Sequence, residues 1–216
     1  MKKTIVALAM TSAFAGLTSP AHAYLLTAGG TAVAGEGQYT SVAGATTFNF
    51  NNAVLPSGYS GGTIVSGSNA DSVAPQGDAS FYLNDGSTYG SPTTINFGNP
   101  LSYFGFYYGS VDAYNTLQLF SDNTLLATYS GTELGNLVDP TLRGGLYVNI
   151  FSSGTVENFN RVVFSSPANA FESDNHAWLI ATPPTLPTEP VPEPSTYALL
   201  AAGLLLVGAI SRRRMQ

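Results

Sequence analysis

The sequence predicts an all-β protein: an antiparallel β-sandwich body of the jelly-roll type, with an N-terminal signal helix and a single C-terminal membrane-spanning helix. Three observations lead to this prediction. The central region is rich in Gly, Ser, Thr, Asn, Tyr and Phe, which favour strands and turns over helices. Short runs of alternating apolar and polar residues recur between turn signals. Each end of the chain combines an apolar segment with basic residues.

The first 23 residues predict a secretory signal peptide. Two lysines follow the initial methionine, residues 5–17 are largely apolar, and Ala21 and Ala23 flank one residue in the small-x-small pattern of a cleavage site. We therefore expect signal peptidase to cut between Ala23 and Tyr24, and the rest of the chain to be exported.

Residues 24–181 predict one β-sandwich domain of roughly nine or ten short strands. In one stretch, Phe104, Phe106 and Tyr108 alternate with Tyr103 and Tyr107, so the two sets lie on opposite faces of a strand. No stretch of the body shows a helical period. The runs that predict strands are TTFNFNN, SFYLN, TTINFG, LSYFGFYYGS, NTLQLFS, NTLLATYS, GLYVNIF, NFNRVVFSS and HAWLIA. Turn signals separate them, among them Gly98-Asn99-Pro100 between the third run and the fourth.

The charge of this body restricts its partners. From Tyr24 to Pro194 the chain has two arginines, Arg143 and Arg161, against all thirteen acidic residues, which gives a formal charge of −11. Such a surface repels nucleic acid and anionic lipid and attracts cations. The chain has no cysteine, which excludes disulfides, thiol catalysis and cysteine-ligated zinc.

The C-terminal end predicts a spacer followed by a short membrane span. Residues 182–191 form a proline-rich linker, and such a composition favours a semi-rigid extended chain. The fourteen residues from Tyr197 to Ile210 are apolar. As a helix they would be about 21 Å long, which is short for a bilayer core of about 30 Å. Arg212, Arg213 and Arg214 follow and would stay on the cytoplasmic side of the membrane.

Residues 192–216 resemble a known sorting signal. Pro192-Glu193-Pro194, an apolar helix and a closing arginine cluster, in this order, are similar to the PEP-CTERM sorting domain. The resemblance implies that exosortase, a membrane enzyme of Gram-negative bacteria, is a partner. It also implies that the tail holds the protein in the inner membrane for a time and is cleaved near the Pro-Glu-Pro, after which the body moves to the cell surface or the extracellular matrix.

The body resembles one group of these proteins, the Npun-type exosortase-dependent surface proteins. The segments that carry the resemblance are YFGFYYGSVDAYNTLQLF (residues 103–120) and NAFESDNHAWLIA (residues 169–181). The resemblance implies secretion and surface deposition, and no defined enzymatic activity.

Two groups of residues are candidates for ligand binding. Glu172, Asp174 and Asn175 place oxygen side chains close together, and calcium binds to six to eight oxygens. The alternative is that Asp174 and Asn175 form a turn and Glu172 is solvated.

The second group is a candidate sugar-binding patch. Aromatic faces with a few polar groups suit glycan recognition, and the alternative is that the tyrosines belong to the core and its edges. The members of this patch are Tyr103, Tyr107, Tyr108 and Asp112, with Tyr114 and Asn115 beside them.

The sequence indicates no catalytic site. His176 is the one histidine after the signal peptide, and a triad would also need a nucleophile and an acid placed around it. No G-x-S-x-G motif occurs, and no pair of carboxylates stands out as the pair of a glycosidase. We therefore expect a structural or adhesive surface protein linked to exopolysaccharide or biofilm, without a cofactor unless calcium binds. The alternatives are a carbohydrate-binding module exported by the same route and, third, a secreted hydrolase.

Overall fold

The computed structural model describes residues 24–137, 144–154 and 157–182. These residues fall within one compact unit, Met1–Thr182. They form thirteen strands and a five-residue helix, so the all-β prediction is confirmed. The elements in chain order are β1 (Tyr24–Ala28), β2 (Thr31–Ala32), β3 (Gln38–Tyr39), β4 (Thr46–Phe48), β5 (Tyr59–Ser60), β6 (Thr63–Ser66), β7 (Phe81–Asp85), β8 (Thr93–Ser110), β9 (Thr116–Ser121), β10 (Thr124–Ser130), α1 (Gly131–Gly135), β11 (Gly144–Ser152), β12 (Phe159–Ser165) and β13 (Phe171–Ile180).

Strand β8 organises the fold because it takes part in two sets of ladders. Its first part pairs with β12 and β5, and β12 continues to β9 and β10. Its second part pairs with β11 and β13. From there the pairing extends to β1 beside β11, and to β4 and β7 beside β13, with β6 next to β7. All of these ladders are antiparallel, and β2 and β3 form a separate antiparallel pair.

The prediction of a turn at Gly98-Asn99-Pro100 is wrong, because β8 continues through these residues. Opposite them, the register shifts so that Phe159 of β12 pairs with Leu101 while Arg161 pairs with Asn96. Four residues of β8 therefore lie opposite a single residue of β12, and residues 98–100 are exposed. A bulge of this kind bends a strand, so the turn-forming residues bend β8 instead of ending it.

The core lies where the two sets of ladders face each other. Phe164 of β12 packs edge-on against Phe106 of β8, with 5.1 Å between ring centroids, and against Phe171 of β13 at 4.9 Å. Phe104, Phe106 and Tyr108 belong to this core as the alternation predicts. Its other fully or nearly fully buried members include Ile95, Leu117, Leu119, Val148, Ile150 and Val162.

Helix α1 was not predicted. Ser130 caps it, and the side chains of Ser130 and Glu133 form a reciprocal capping box. The spacing of Ser130 and Glu133 in the sequence is the usual signature of this motif, but the helix is too short for an apolar periodicity to show.

Candidate functional site

A bulge in β13 directs two polar side chains toward neighbouring loops. The register of β13 against β8 shifts between Asp174 and Ala177, and Asn175 has a φ of +49°, a conformation that Asn adopts more readily than most residues. Ser173 and His176 hydrogen-bond to each other at 3.0 Å inside the core. Asp174 and Asn175 instead contact segments outside the aromatic core.

Asp174 lies against Asp78, which belongs to the turn before β7. The Oδ1 of Asp78 accepts hydrogen bonds from the backbone N of Ser80 at 2.8 Å and from its Oγ at 2.6 Å. Asp174 is fully buried and Asp78 is 8 % exposed. The two carboxyl groups are close enough for one, when protonated, to hydrogen-bond to the other. Burial, and then the neighbouring Asp78, raise the pKa of Asp174 to about 10.

The side chain of Asn175 binds the segment before β3 through hydrogen bonds. Its Nδ2 donates to the carbonyl oxygens of Glu36 at 2.7 Å and of Gln38 at 3.0 Å. The segment before β3 is also tied to the turn around Asp78, because the Ala79 N donates to the Gly35 carbonyl at 2.9 Å. Three segments that are distant in sequence therefore meet at this cluster, which we call the Asp78–Asp174 site and which comprises Asp78, Asp174 and Asn175.

Tyr107 of β8 lies beside the Asp78–Asp174 site. Its hydroxyl donates to the carbonyl of Gln76 at 2.5 Å. Burial, followed by the charges of Asp78 and Asp174, raises the pKa of Tyr107 to about 12. Its ring packs directly against Gly37, which has a φ of +69°. A cleft of about 630 Å³ opens here, lined by Val33, Gly35, Gln38, Gln76, Tyr107 and Gly145 among others.

The predicted sugar-binding patch does not form. Tyr103, Tyr107 and Tyr108 are at most 2 % exposed, so their faces are not available to stack on a sugar from solution. Tyr108 packs in the core, and the Tyr103 hydroxyl donates to the Oδ1 of Asn149 at 2.8 Å. The alternative that the sequence offered, tyrosines that belong to the core, fits these three residues, because both faces of β8 are covered in this part of the sheet.

The remaining members of the patch lie beside the start of β9. Tyr114 is 40 % exposed, and its hydroxyl donates to the carbonyl of Asn169. Asn115 is buried and donates through Nδ2 to the Ala170 carbonyl at 3.1 Å. Asp112 is half-buried, and its Oδ2 lies 3.2 Å from the Oγ of Ser110. Tyr114 is therefore the member of the patch whose ring is most accessible.

The predicted calcium ligands do not act as one set. Glu172 accepts hydrogen bonds from the backbone N of Val73, at 2.9 Å, and from the hydroxyl of Ser110. These partners differ from those of Asp174, whose neighbour is Asp78. Within the described residues, no group of three His, Cys, Asp or Glu side chains is placed to hold a metal ion. Sequence reasoning missed Asp78 because it lies about a hundred positions before Asp174, in a stretch without strand alternation.

His176 is enclosed in the core. It stacks on Phe164 and meets Phe50 and Phe104 edge-on. Its Nδ1 hydrogen-bonds with the Tyr59 hydroxyl at 3.0 Å and its Nε2 with the Ser173 Oγ. Full burial lowers its pKa to about 3. The contact between Ser173 and His176 resembles half of a catalytic triad, but both residues are inaccessible and the second nitrogen faces a tyrosine instead of a carboxylate.

Several predicted residues lie outside the described part of the chain. They are Ala21 and Ala23 of the signal-peptidase site, Pro192, Glu193 and Pro194 of the sorting motif, and Arg212, Arg213 and Arg214 of the basic tail. The predicted signal helix and membrane-spanning helix fall there too, whereas Tyr24 opens β1. None of the helices in the described residues is long and apolar enough to cross a membrane.

Comparison with known proteins concerns the C-terminal end. The PEP-CTERM protein-sorting motif matches residues 190–214, so the chain carries this motif as the sequence predicted. The motif implies exosortase-dependent export toward the cell surface. No curated protein matches the chain.

Proposed function

We propose that this chain is a bacterial surface or matrix protein that exosortase sorts and cleaves, and that its β-rich body has a structural or adhesive role. The PEP-CTERM motif at residues 190–214 carries this proposal. The predicted signal peptide supports it, because a sorting tail acts only on a chain that has entered the export pathway.

In this proposal the C-terminal tail is temporary. Signal peptidase removes the first 23 residues, and the apolar segment then holds the chain in the inner membrane of a Gram-negative host. Exosortase cuts near Pro192–Pro194, and the body passes to the cell surface or the extracellular matrix. The short apolar segment and the proline-rich spacer suit this order of events, because they combine a marginal membrane span with an accessible chain before it.

In this proposal the body belongs to the Npun-type group of surface proteins. Its proposed role is not enzymatic. Its two sets of ladders on β8, with aromatic rings packed between them, support a jelly-roll-like sandwich. The burial of His176 supports a scaffold because this side chain has no access to a substrate. A formal charge of −11 over residues 24–194 favours a hydrated, cation-rich setting such as an exopolysaccharide matrix or biofilm.

A second candidate function is carbohydrate binding in the same setting. The cleft of about 630 Å³ beside Tyr107 supports it, since ligand sites are generally concave. Ala34 also lines this cleft. Binding of matrix exopolysaccharide to the purified protein that is lost in Ala34→Trp, which would fill the cleft, would favour this candidate over a purely structural role. If the protein binds none of the matrix sugars tested, carbohydrate binding is excluded.

The experiment that tests the main proposal is intact mass measurement and C-terminal peptide mapping of the protein from its native host, with membrane and extracellular fractions kept apart. We expect an extracellular product that begins at Tyr24 and ends near Pro192–Pro194. A product that keeps Arg212–Arg214 and occurs in the inner membrane alone would contradict the proposal and would indicate a permanently tethered domain.

A further inference from the structure

The Asp78–Asp174 site contains buried oxygen atoms whose hydrogen-bonding capacity is unused. Both carboxylate oxygens of Asp174, the Oδ2 of Asp78 and the Oδ1 of Asn175 have no hydrogen-bond partner within the described residues. An unpartnered buried polar atom is costly, and an unpartnered buried charge is costlier still. A proton shared between Asp174 and Asp78 would satisfy carboxylate oxygens only, so the Oδ1 of Asn175 would still lack a partner.

A cation is the partner that would offset the cost of burying two carboxylates side by side, because that burial disfavours their ionised forms. Arg161 is the one Lys or Arg among the described residues, and its guanidinium lies over the ring of Phe120. Ser80 occupies one oxygen of Asp78 and leaves the other free to bind a ligand.

Asn175 gives an independent indication that a ligand binds here. Its Nδ2 is held by two carbonyl oxygens, those of Glu36 and Gln38. This fixes the orientation of the amide, because only an N–H group can donate to both. The Oδ1 is therefore the atom left buried and unpartnered, although Asn175 is fully buried. A neutral amide oxygen is a common ligand of calcium and a poor partner for an anion.

We propose that the carboxylates of Asp78 and Asp174 and the amide oxygen of Asn175 bind a calcium ion. All the available side-chain ligands are oxygens, which suit a hard cation, and calcium accepts the irregular geometry that loops and a bulged strand provide. The ion would join β13 to the segment before β3 and to the turn before β7. Water, with backbone carbonyls where they come within reach, would have to supply the rest of the six to eight ligands that calcium takes.

This site differs from the one that the sequence alone suggested. Glu172 was expected to be a ligand, but its carboxylate is taken by Val73 and Ser110. Asp78 replaces it. Calcium binding by the body does not depend on the sorting motif. A failed calcium test would therefore leave the proposed sorting unaffected, and failed sorting would leave calcium binding unaffected.

The test uses the full-length chain in detergent, stripped with a chelator and titrated with calcium ions alone. We expect calcium to raise Tm by about 5 °C or more at saturation, because a ligand that binds only the folded state stabilises it. Magnesium should have a much smaller effect. Terbium, which replaces calcium and emits when nearby tyrosines are excited, should bind at the same place because Tyr107 lies next to both carboxylates.

Matched amide variants identify the ligands. Asp174→Asn and Asp78→Asn should weaken calcium binding about tenfold or more and abolish terbium emission, while each variant folds as well as the stripped wild type because a buried charge has been removed. Glu172→Gln is the control and should keep wild-type calcium affinity. No calcium effect on Tm in the wild type, or equal losses in Glu172→Gln and Asp174→Asn, would overturn the proposal. Amide variants that raise Tm while calcium leaves the wild type unchanged would overturn it too, since two carboxyls sharing a proton would then account for the site.

Discussion

The imidazole of His176 stacks on the phenyl ring of Phe164, with 5.3 Å between the ring centroids and 15° between the ring planes. The contact joins β13 to β12 across the core. It requires the neutral imidazole, since full burial lowers the pKa of His176 to about 3. An unfolded chain would protonate the same side chain near pH 6.5.

We therefore predict that His176 makes the fold sensitive to acid. Between pH 6.5 and about 3 the unfolded state binds a proton at His176 and the folded state does not. The contribution of the neutral His176 to stability is therefore present above pH 6.5 and is lost as the pH falls. The loss should approach about 1.4 kcal/mol for each pH unit below 6.5. Urea denaturation at a series of pH values measures it. His176→Gln, which does not titrate, is the control, and a wild-type-to-variant difference that is independent of pH would contradict the prediction.

A second prediction concerns the packing of Tyr107 on Gly37. A Cβ at Gly37 would meet the Tyr107 ring, and the φ of +69° already disfavours any L side chain. Gly37→Ala should therefore lower the free energy of unfolding by about 2–4 kcal/mol. Gly35 is the matched control because its φ is +78° and a Cβ there would meet nothing within 4 Å. Gly35→Ala should show the backbone strain alone, about 1 kcal/mol, and equal losses at both positions would rule out the contact with Tyr107 as the cause.

Tyr108 and Tyr114 should respond differently to truncation. Tyr108 is fully buried and lies against Phe171 with 4.6 Å between ring centroids, so Tyr108→Ala should cost about 3–5 kcal/mol of stability. Tyr114→Ala removes a ring that is 40 % exposed and should cost about 1 kcal/mol or less. Chemical denaturation followed by tyrosine fluorescence compares the two. A Tyr108→Ala variant that is as stable as the wild type but binds sugar more weakly would contradict the assignment of Tyr108 to the core. It would support the predicted sugar-binding patch instead.

Removal of the C-terminal tail should depend on Glu193 but not on Glu189, the acidic residue that precedes it in the sequence. We predict that Glu193→Ala stops tail removal, so that the full-length chain accumulates in the membrane fraction. Glu189→Ala removes the same charge from the same proline-rich stretch, one position before the matched motif begins, and should be processed normally. Immunoblots of fractionated cells distinguish the outcomes. Replacing Arg212–Arg214 by Ala should also reduce surface display. Normal display of both the Glu193→Ala variant and the arginine variant would contradict exosortase sorting.

Alternation along the chain was enough to predict the strands of the core. Phe104, Phe106 and Tyr108 could be assigned to one face because a strand places every second side chain on the same side. The sequence could not predict that the opposite face is covered as well, which buries Tyr103 and Tyr107. That covering comes from the segment around Gly37 and from the turn around Gln76, both distant in sequence.

The candidate site was predictable only in part for the same reason. Asp174 and Asn175 are neighbours in the sequence, so their joint role could be recognised from the run of polar residues. The contribution of Asp78 depends on the pairing of two loops, and nothing in the local sequence around it differs from an ordinary turn. The bulge at Asn175, which turns consecutive side chains toward those loops, also has no local signature beyond an asparagine.

The position of β13 between its neighbours affects how the body would carry a mechanical load. The chain that leads to the sorting motif departs after Thr182, directly behind β13, and the Ala181 N still donates to the carbonyl of Pro100. β13 is paired with β8 along one side and with β4 and β7 along the other. If tension acted on Thr182 along the axis of β13, the hydrogen bonds of this strand to its neighbours on both sides would bear the load together, and they would not break one at a time from an edge.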